Sequence, residues 1–202
     1  ICQWVMKTAC ADAKQWVDAG YADIKVAVNL SDQEFKHSGL LKYVTDTLEE
    51  TGLSAYNLEL EITENIVMHS PKSAESIMHK IRKMGIELSI DDFGTGYSSL
   101  SQMALLPFNE LKIDRSFVKQ SGTSEKSDTI LQSIMTMGLS LGLNIVAEGI
   151  ETHEQLDRLK LMGAMIIQGY LMAKPMACNS FEKWLSDWRP GSIDQPGCSR
   201  PF

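Results

Sequence analysis

"GIELSIDDFGTG", residues 85–96, poses the fold question in miniature. A glycine closes whatever precedes it. Ile86, Leu88 and Ile90 then alternate with Glu87, Ser89 and Asp91, and the run ends in two adjacent acids before Gly-Thr-Gly. Alternation of this kind is the signature of a strand, because successive side chains point to opposite faces. One face is aliphatic; the other is polar and ends on Asp91. On a regular strand Asp92 would point away from Asp91. We therefore read Asp91 as continuing the inward series and Asp92 as the first loop residue, with Gly94 and Gly96 permitting the turn at little steric cost.

The same unit recurs along the chain. Helical patterns end at Gly20, Gly52, Gly85, Gly142 and Gly163, each placed to close a helix in the left-handed conformation. Strand patterns follow as "IKVAVNL" (24–30), "NLELEIT" (57–63), "IELSIDD" (86–92), "LNIVAEG" (143–149) and "AMIIQG" (164–169). A sixth, "ELKID" (110–114), follows Pro107 and a short helical piece near 98–105. Helix starts are marked by capping boxes at Ser31/Glu34 and Thr152/Gln155, and by Ser70-Pro71 as N-cap and first-turn proline. Strands alternating with helices predict a parallel sheet with helices outside it. The pattern runs as one domain over 1–188, and "RPGSIDQPGCSRPF" (189–202) reads as a flexible tail.

The strands share a phase. Val26, Val28 and Leu30 oppose Ala27 and Asn29; Leu58, Leu60 and Ile62 oppose Glu59, Glu61 and Thr63. Leu111 and Ile113 oppose Lys112, Ile145 and Ala147 oppose Glu148, and Met165 and Ile167 oppose Gln168. If the aliphatic faces lie under the helices, a polar residue ends each inward series: Asn29, Glu61, Asp91, Lys112, Glu148 and Gln168. A parallel barrel builds its site at that end of its strands. A doubly wound sheet would need more uniformly apolar strands. The fold class is therefore α/β, a TIM-like (βα)8-type barrel. A full barrel takes about 250 residues, so the six strands legible here predict a barrel incomplete at the N-terminus, with one or two strands ahead of Ile1.

Bulk properties narrow the function. The formal charge of −7 argues against a partner that is a nucleic-acid polymer, for which a basic face is expected. Cys2, Cys10, Cys178 and Cys198 form no Cys-x-x-Cys pair, so reduced thiols are expected rather than a zinc cluster or disulfide framework. The sequence shows neither a signal peptide nor an apolar run near the roughly 18 residues of a membrane span, and the reading is cytoplasmic.

Glu61, Asp91 and Glu148 in one barrel mouth repel each other and lose hydration, a cost that a divalent cation offsets. Oxygen donors without His or Cys favour Mg²⁺, Mn²⁺ or Ca²⁺ over zinc. A carboxylate bridging two ions about 3.5–4 Å apart suits phosphodiester hydrolysis, with inward Lys112 orienting water or neutralising developing charge. The plainer alternative is a polar core whose members pair among themselves, but six polar ends in phase favour a site. His37, His69, His79 and His153 have no ligand spacing and read as surface residues, while Glu59 and Glu87 lie lower and read as structural pairs. Met78, Met84, Met135 and Met137 fit helix packing.

"AVNLS", "LELEITE", "DDFGTGYSSL", "LPFNELKIDRSFV", "VAEGIET" and "QGYLMAKP", in this order, resemble the EAL-domain family of cyclic di-GMP phosphodiesterases. The resemblance runs from the first helix to about residue 188. It implies a bacterial signalling domain linked to biofilm control, with hydrolysis of cyclic di-GMP to linear pGpG by two Mg²⁺ or Mn²⁺ ions and inhibition by Ca²⁺. It places metal ligands at Asn29, Glu61, Asp91, Asp92 and Glu148, with Asp91 as the bridge. Lys112 matches the lysine that contacts the catalytic water, and Glu148 is also a candidate for proton transfer. Gln168 matches a glutamine near the site floor, and Asp114, Arg115 and Pro175 match positions that line or shape the nucleotide site. Glu64 matches the anchor of the loop after the double Asp, a loop that couples dimerisation to metal binding, so a homodimer is expected. Glu151 follows in the same "EGIE" element.

Two departures stand out. The family's Glu-Ala-Leu motif is nowhere in these residues and would lie on the missing strand; Asn109 stands where Asp is common. The parent protein, with a cyclase or sensor domain and room for an inner-membrane anchor, is expected to be active, and the chain alone is not. The rival reading is a catalytically inactive cyclic di-GMP receptor.

Overall fold

Every strand pattern in the sequence becomes a strand of one parallel sheet, and the alternation decides which side of that sheet each residue takes. The structure is a computed structural model describing residues 2–69, 71–94, 103–163 and 166–188. In chain order it runs α1 (Cys2–Asp18), β1 (Val26–Leu30), α2 (Asp32–Phe35), α3 (Leu40–Thr51), β2 (Leu58–Thr63), α4 (Glu64–His69), α5 (Pro71–Lys83) and β3 (Glu87–Phe93). It continues through β4 (Glu110–Ile113), α6 (Arg115–Gln120), α7 (Glu125–Ser140), β5 (Asn144–Ala147), α8 (His153–Met162), β6 (Ile166–Ile167) and α9 (Cys178–Asp187). The Ser70 cap, residues 95–102 with most of the helical piece near 98–105, and the tail at 189–202 lie outside the described residues.

The strand order is β1-β2-β3-β4-β5-β6, all neighbours parallel. A sheet that advances one strand at a time with right-handed crossovers keeps its helices on one face. This is the wall of a TIM-like barrel, not a doubly wound sheet. The aliphatic face carries the core: Leu58, Leu60, Ile62, Ile86, Leu88, Ile90, Leu111, Ile113 and Ile145 are fully buried, as are Met6, Val44, Met78, Ile81, Leu131 and Leu159 from the helices. Each such side chain contributes up to about 1.5–3 kcal/mol relative to exposure. α9 docks on α1 through Phe181 against Trp16, ring centroids 4.6 Å apart.

Local signals place the ends as expected. Gly20, Gly52, Gly85, Gly142 and Gly163 all have positive φ. Both capping boxes form, at Ser31/Glu34 and Thr152/Gln155. Asn109, the departure from the family pattern, ties β3 to β4: its Oδ1 accepts the Leu88 N–H at 3.0 Å, a role an Asp carboxylate could equally fill. Cys2, Cys10 and Cys178 are free thiols. Among the described residues no helix is long and apolar enough to cross a membrane.

One expectation needs correction. β3 does not stop at Asp91 but continues to Phe93, because a bulge lets it keep pairing with β4. Of the sixth strand pattern the described part is β6 at Ile166–Ile167, after which the Gln168 N–H still bonds the Ala147 carbonyl while the Gln168 carbonyl accepts the Ile150 N–H.

Candidate active site

The site begins with the register between β3 and β4. Ile90 faces Leu111 and Phe93 faces Ile113, so Asp91 and Asp92 together stand opposite the single residue Lys112. That extra residue is a β-bulge, a device that re-aims side chains at barrel rims and beside active sites. Asp92 takes φ 54, the one described non-glycine residue in the left-handed region. Aspartate tolerates this conformation better than most residues. The Asp92 N–H donates to Asp91 Oδ1 at 2.9 Å, fixing the first carboxylate while the backbone turns. Asp92 therefore belongs to the strand's bulge and not to the loop.

The other acids arrive by strand parity. Register places Asn29 beside Glu61, and Glu61 beside Ser89, all on the inward face. Lys112, 4% exposed, extends its ammonium into this space. Its Nζ lies 2.5 Å from Glu61 Oε1, 2.7 Å from Glu148 Oε1 and 3.8 Å from Asp91 Oδ1. Three acids, one each from β2 and β3 and one directly after β5, share one cation. Burial opposes the lysine's charge, but the bonds to Glu148 and Glu61 outweigh it and push its pKa above the ordinary value. One ammonium cannot satisfy three carboxylates. Burial, with Asp91 and Glu59 nearby, raises Glu61; burial, with Asp91 and Asp92, raises Glu148. Asp92 is raised by burial and by the charges of Asp91 and Asp114.

Beneath this layer sits a group that strand parity places inward but that the sequence reading passed over. Glu110 precedes Lys112 by two residues and pairs in register with Ser89. Burial and the charge of Glu59 push its carboxyl up to about 7. Glu87, one layer lower, is paired with Lys25 at 2.6 Å, as a structural role requires. Ser89 is fully buried, and its Oγ has no hydrogen-bond partner among the described residues. Between its ordinary pKa and about 7, Glu110 keeps a proton in the folded state that the unfolded chain has released, so stability falls as pH rises through that window. Glu110→Gln is expected to flatten this fall by about 1 kcal/mol, discounted for partial exposure, in denaturant titrations at pH 5 and pH 8.

The remaining sequence candidates are placed as follows. Glu64, 2% exposed, accepts the Gly94 N–H on Oε2 at 3.2 Å and so holds the start of the loop after the double Asp. Its Oε1 is buried without a partner among the described residues. Asp114 caps α6, accepting the Ser116 N–H at 2.9 Å; burial opposes, but bonds from Ser116 and Arg115 hold its carboxyl below the usual range. Gln168 and Pro175 are exposed, Gln168 directly after β6 and Pro175 in the segment before α9. Glu151 pairs with Lys119 at 3.4 Å rather than with the acids. Of the histidines, His37 accepts the Gly39 N–H, and His79 lies 3.9 Å from Glu75; neither joins the site.

The donor set matches a hard divalent cation: carboxylates and a carboxamide, crowded enough that burial and mutual repulsion raise Glu61, Asp92 and Glu148. Spacing is a separate matter. Among the described residues no three acidic, imidazole or thiol side chains stand close enough to hold an ion, and the Lys112 ammonium lies between Glu61 and Glu148. The residues fit a metal by chemistry and would have to draw together to hold one.

Comparison with known proteins agrees with this geometry. The EAL domain family model matches residues 1–175. The chain is 41% identical over 174 residues to the bifunctional diguanylate cyclase/cyclic di-GMP phosphodiesterase MucR of Pseudomonas aeruginosa, covering 86% of this chain and 25% of MucR. The solved MucR phosphodiesterase in complex with cyclic di-GMP superposes with TM-score 0.86 at 40% identity, covering 89% of this chain and 72% of that one. BlrP1 of Klebsiella pneumoniae, solved at pH 8.0 as a calcium/cyclic di-GMP complex, gives TM-score 0.76 at 29% identity over 86% of this chain and 43% of its own. The chain thus spans about a quarter of its curated relative's length. A parallel barrel wall with acids gathered at the C-terminal ends of its strands, matched by the family model over most of the chain, makes this protein a member of the EAL-domain family.

Proposed function

We propose that this chain carries the catalytic centre of a phosphodiesterase that opens one phosphodiester bond of cyclic di-GMP to give linear pGpG. The observation that carries the reading is the bulge: it sets Asp91 and Asp92 against Lys112, which already draws in Glu61 and Glu148. Asn29, Glu61, Asp91, Asp92 and Glu148 would hold two Mg²⁺ or Mn²⁺ ions. When bound, such ions polarise the scissile phosphodiester and lower the pKa of the attacking water. Ca²⁺, larger and looser in its coordination, is expected to bind and inhibit.

The chain's own groups supply the rest. Lys112 keeps its proton and presents a fixed positive charge where the phosphorane's negative charge grows. Glu148, whose Oε1 is held 2.7 Å from Lys112, is the group placed to pass a proton toward the leaving oxygen. Asp114, Arg115, Gln168 and Pro175 shape the nucleotide pocket around the rim, and Glu64 anchors the loop that begins at Gly94. The unit extends over 1–188, works as a homodimer in the cytoplasm, and responds to a cyclase or sensor domain of the same parent. The intact set of acids speaks against a receptor without turnover.

The test incubates cyclic di-GMP with the chain preceded by its native upstream sequence, separately in Mn²⁺, Mg²⁺ and Ca²⁺, with products separated by chromatography. Linear pGpG in the first two and none in the third is the expected result. Tight binding with no product in any of them would support the receptor instead.

A further inference from the structure

Glu148 and Gln168 follow neighbouring strands, yet the ladder between β5 and β6 ends at the Ala147–Ile167 pair. The backbone carries the connection further. The Gln168 N–H donates to the Ala147 carbonyl at 2.9 Å, the Ile150 N–H to the Gln168 carbonyl at 3.1 Å, and the Leu171 N–H to the Ile150 carbonyl at 2.9 Å. These bonds draw Ile150 onto Gly169 so closely that no side chain fits between them. A Cβ at position 169 would lie 2.2 Å from the Ile150 oxygen and 2.3 Å from its nitrogen. Both are backbone atoms, so one chain segment would have to move. The φ of Gly169 is not in the left-handed region, so alanine could adopt its torsion angles. Space alone requires the glycine. On the opposite side, the Glu148 N–H donates to the Ile113 carbonyl at 3.2 Å, and Gly149 (φ 69) sits where a Cβ would come within 2.4 Å of Arg115 Cβ. The segment bearing Glu148 is therefore gripped from the end of β4 and from the end of β6.

We propose that Gly169 is a positioning residue: by letting the Ile150 backbone seat against it, it locks Glu148 and Gln168 into one rigid unit and fixes the height at which Glu148 meets Lys112. It acts through Ile150 and touches no reacting atom. The kinetic consequence rests on the phosphodiesterase reading; the mechanical one does not.

The test compares Gly169→Ala with Gly163→Ala, both in the protein with its native upstream sequence. Gly163 closes α8 at φ 94 with nothing within 4 Å of a Cβ, so alanine there strains the backbone without displacing a neighbour. Hydrogen exchange at the Ile150 and Leu171 amides is expected to quicken about tenfold or more in Gly169→Ala and to stay near wild type in Gly163→Ala. kcat is expected to fall about 10- to 100-fold in Gly169→Ala with KM changed far less, because displacement by a fraction of an ångström misaligns the Glu148 carboxylate that meets Lys112. The control should keep kcat within about twofold even though its Tm drops. Wild-type exchange at Ile150 and Leu171 in Gly169→Ala would overturn the lock. Faster exchange with an unchanged kcat, or an equal kcat loss in the control, would overturn the positioning role. If the wild type does not hydrolyse cyclic di-GMP at all, the phosphodiesterase reading fails and the exchange measurement alone decides the lock. If Gly169→Ala does not fold, slow exchange of the two amides in the wild type, comparable to β5, is required, and fast exchange there would reject the proposal.

Discussion

Lys112→Met is expected to destabilise the fold by about 3–5 kcal/mol at neutral pH and to abolish turnover. Methionine keeps the length and apolar volume of the side chain, so packing changes little and the effect isolates the charge. Without the ammonium, Glu61 and Glu148 lose contacts of 2.5 and 2.7 Å, and Asp91 loses the nearest cation to it. Both glutamates already sit above the ordinary range because of burial. Removing Lys112 raises them further. A carboxyl whose folded pKa is raised loses stability as pH climbs from its unfolded value through its folded one. The deficit of the variant should therefore grow with rising pH and shrink as falling pH protonates the acids, which then no longer need a cation. Denaturant titrations of both proteins at pH 5 and pH 7.5 measure this. A variant as stable as wild type at pH 7.5 would show that the acids are not held by Lys112.

Asp91→Ala is expected to act in the opposite way, with a large kinetic effect and a small structural one. Asp91 is partly exposed, and its oxygen is 3.8 Å from Lys112, the longest of the three contacts. It is therefore the least used as an ion-pair partner in the fold. Its removal also relieves repulsion on Glu61, Glu148 and Asp92, all of which carry its charge among the causes of their raised pKa values. Stability should change by no more than about 1 kcal/mol. Turnover should fall by at least about 10²–10³-fold, the scale on which a preorganised electrostatic group at the reacting centre acts. Thermal melting and initial rates on the same preparation separate the two effects.

Much of this site was legible before any coordinates. Period-two alternation is local, so Glu61, Asp91, Lys112 and Glu148 could be assigned to one face from neighbouring residues alone, and the ion pairs on Lys112 bear that out. The helix-closing glycines and the two capping boxes are equally local and formed as expected. What escaped depends on pairing between segments. The bulge at Asp91–Asp92 exists only relative to β4, so the sequence offered a turn after Asp91 where the strand in fact runs on to Phe93. The seating of Gln168 and Gly169 against Ile150 likewise depends on a separate loop. Glu110 is a different kind of miss, because the parity that selected Lys112 also selects it. Nothing in the sequence signalled that Ser89 would be buried beside it with no hydrogen-bond partner among the described residues.

The central claim is that the acids around Lys112 form one hydrolytic centre in which Asp91 is indispensable. The most direct test measures conversion of cyclic di-GMP to linear pGpG in Mn²⁺ by the wild type and by Asp91→Ala, each carrying its native upstream sequence. Steady product from the wild type, with the rate of the folded variant lower by at least about 10²–10³-fold, is the expected result. Turnover by Asp91→Ala within a few-fold of wild type would contradict it.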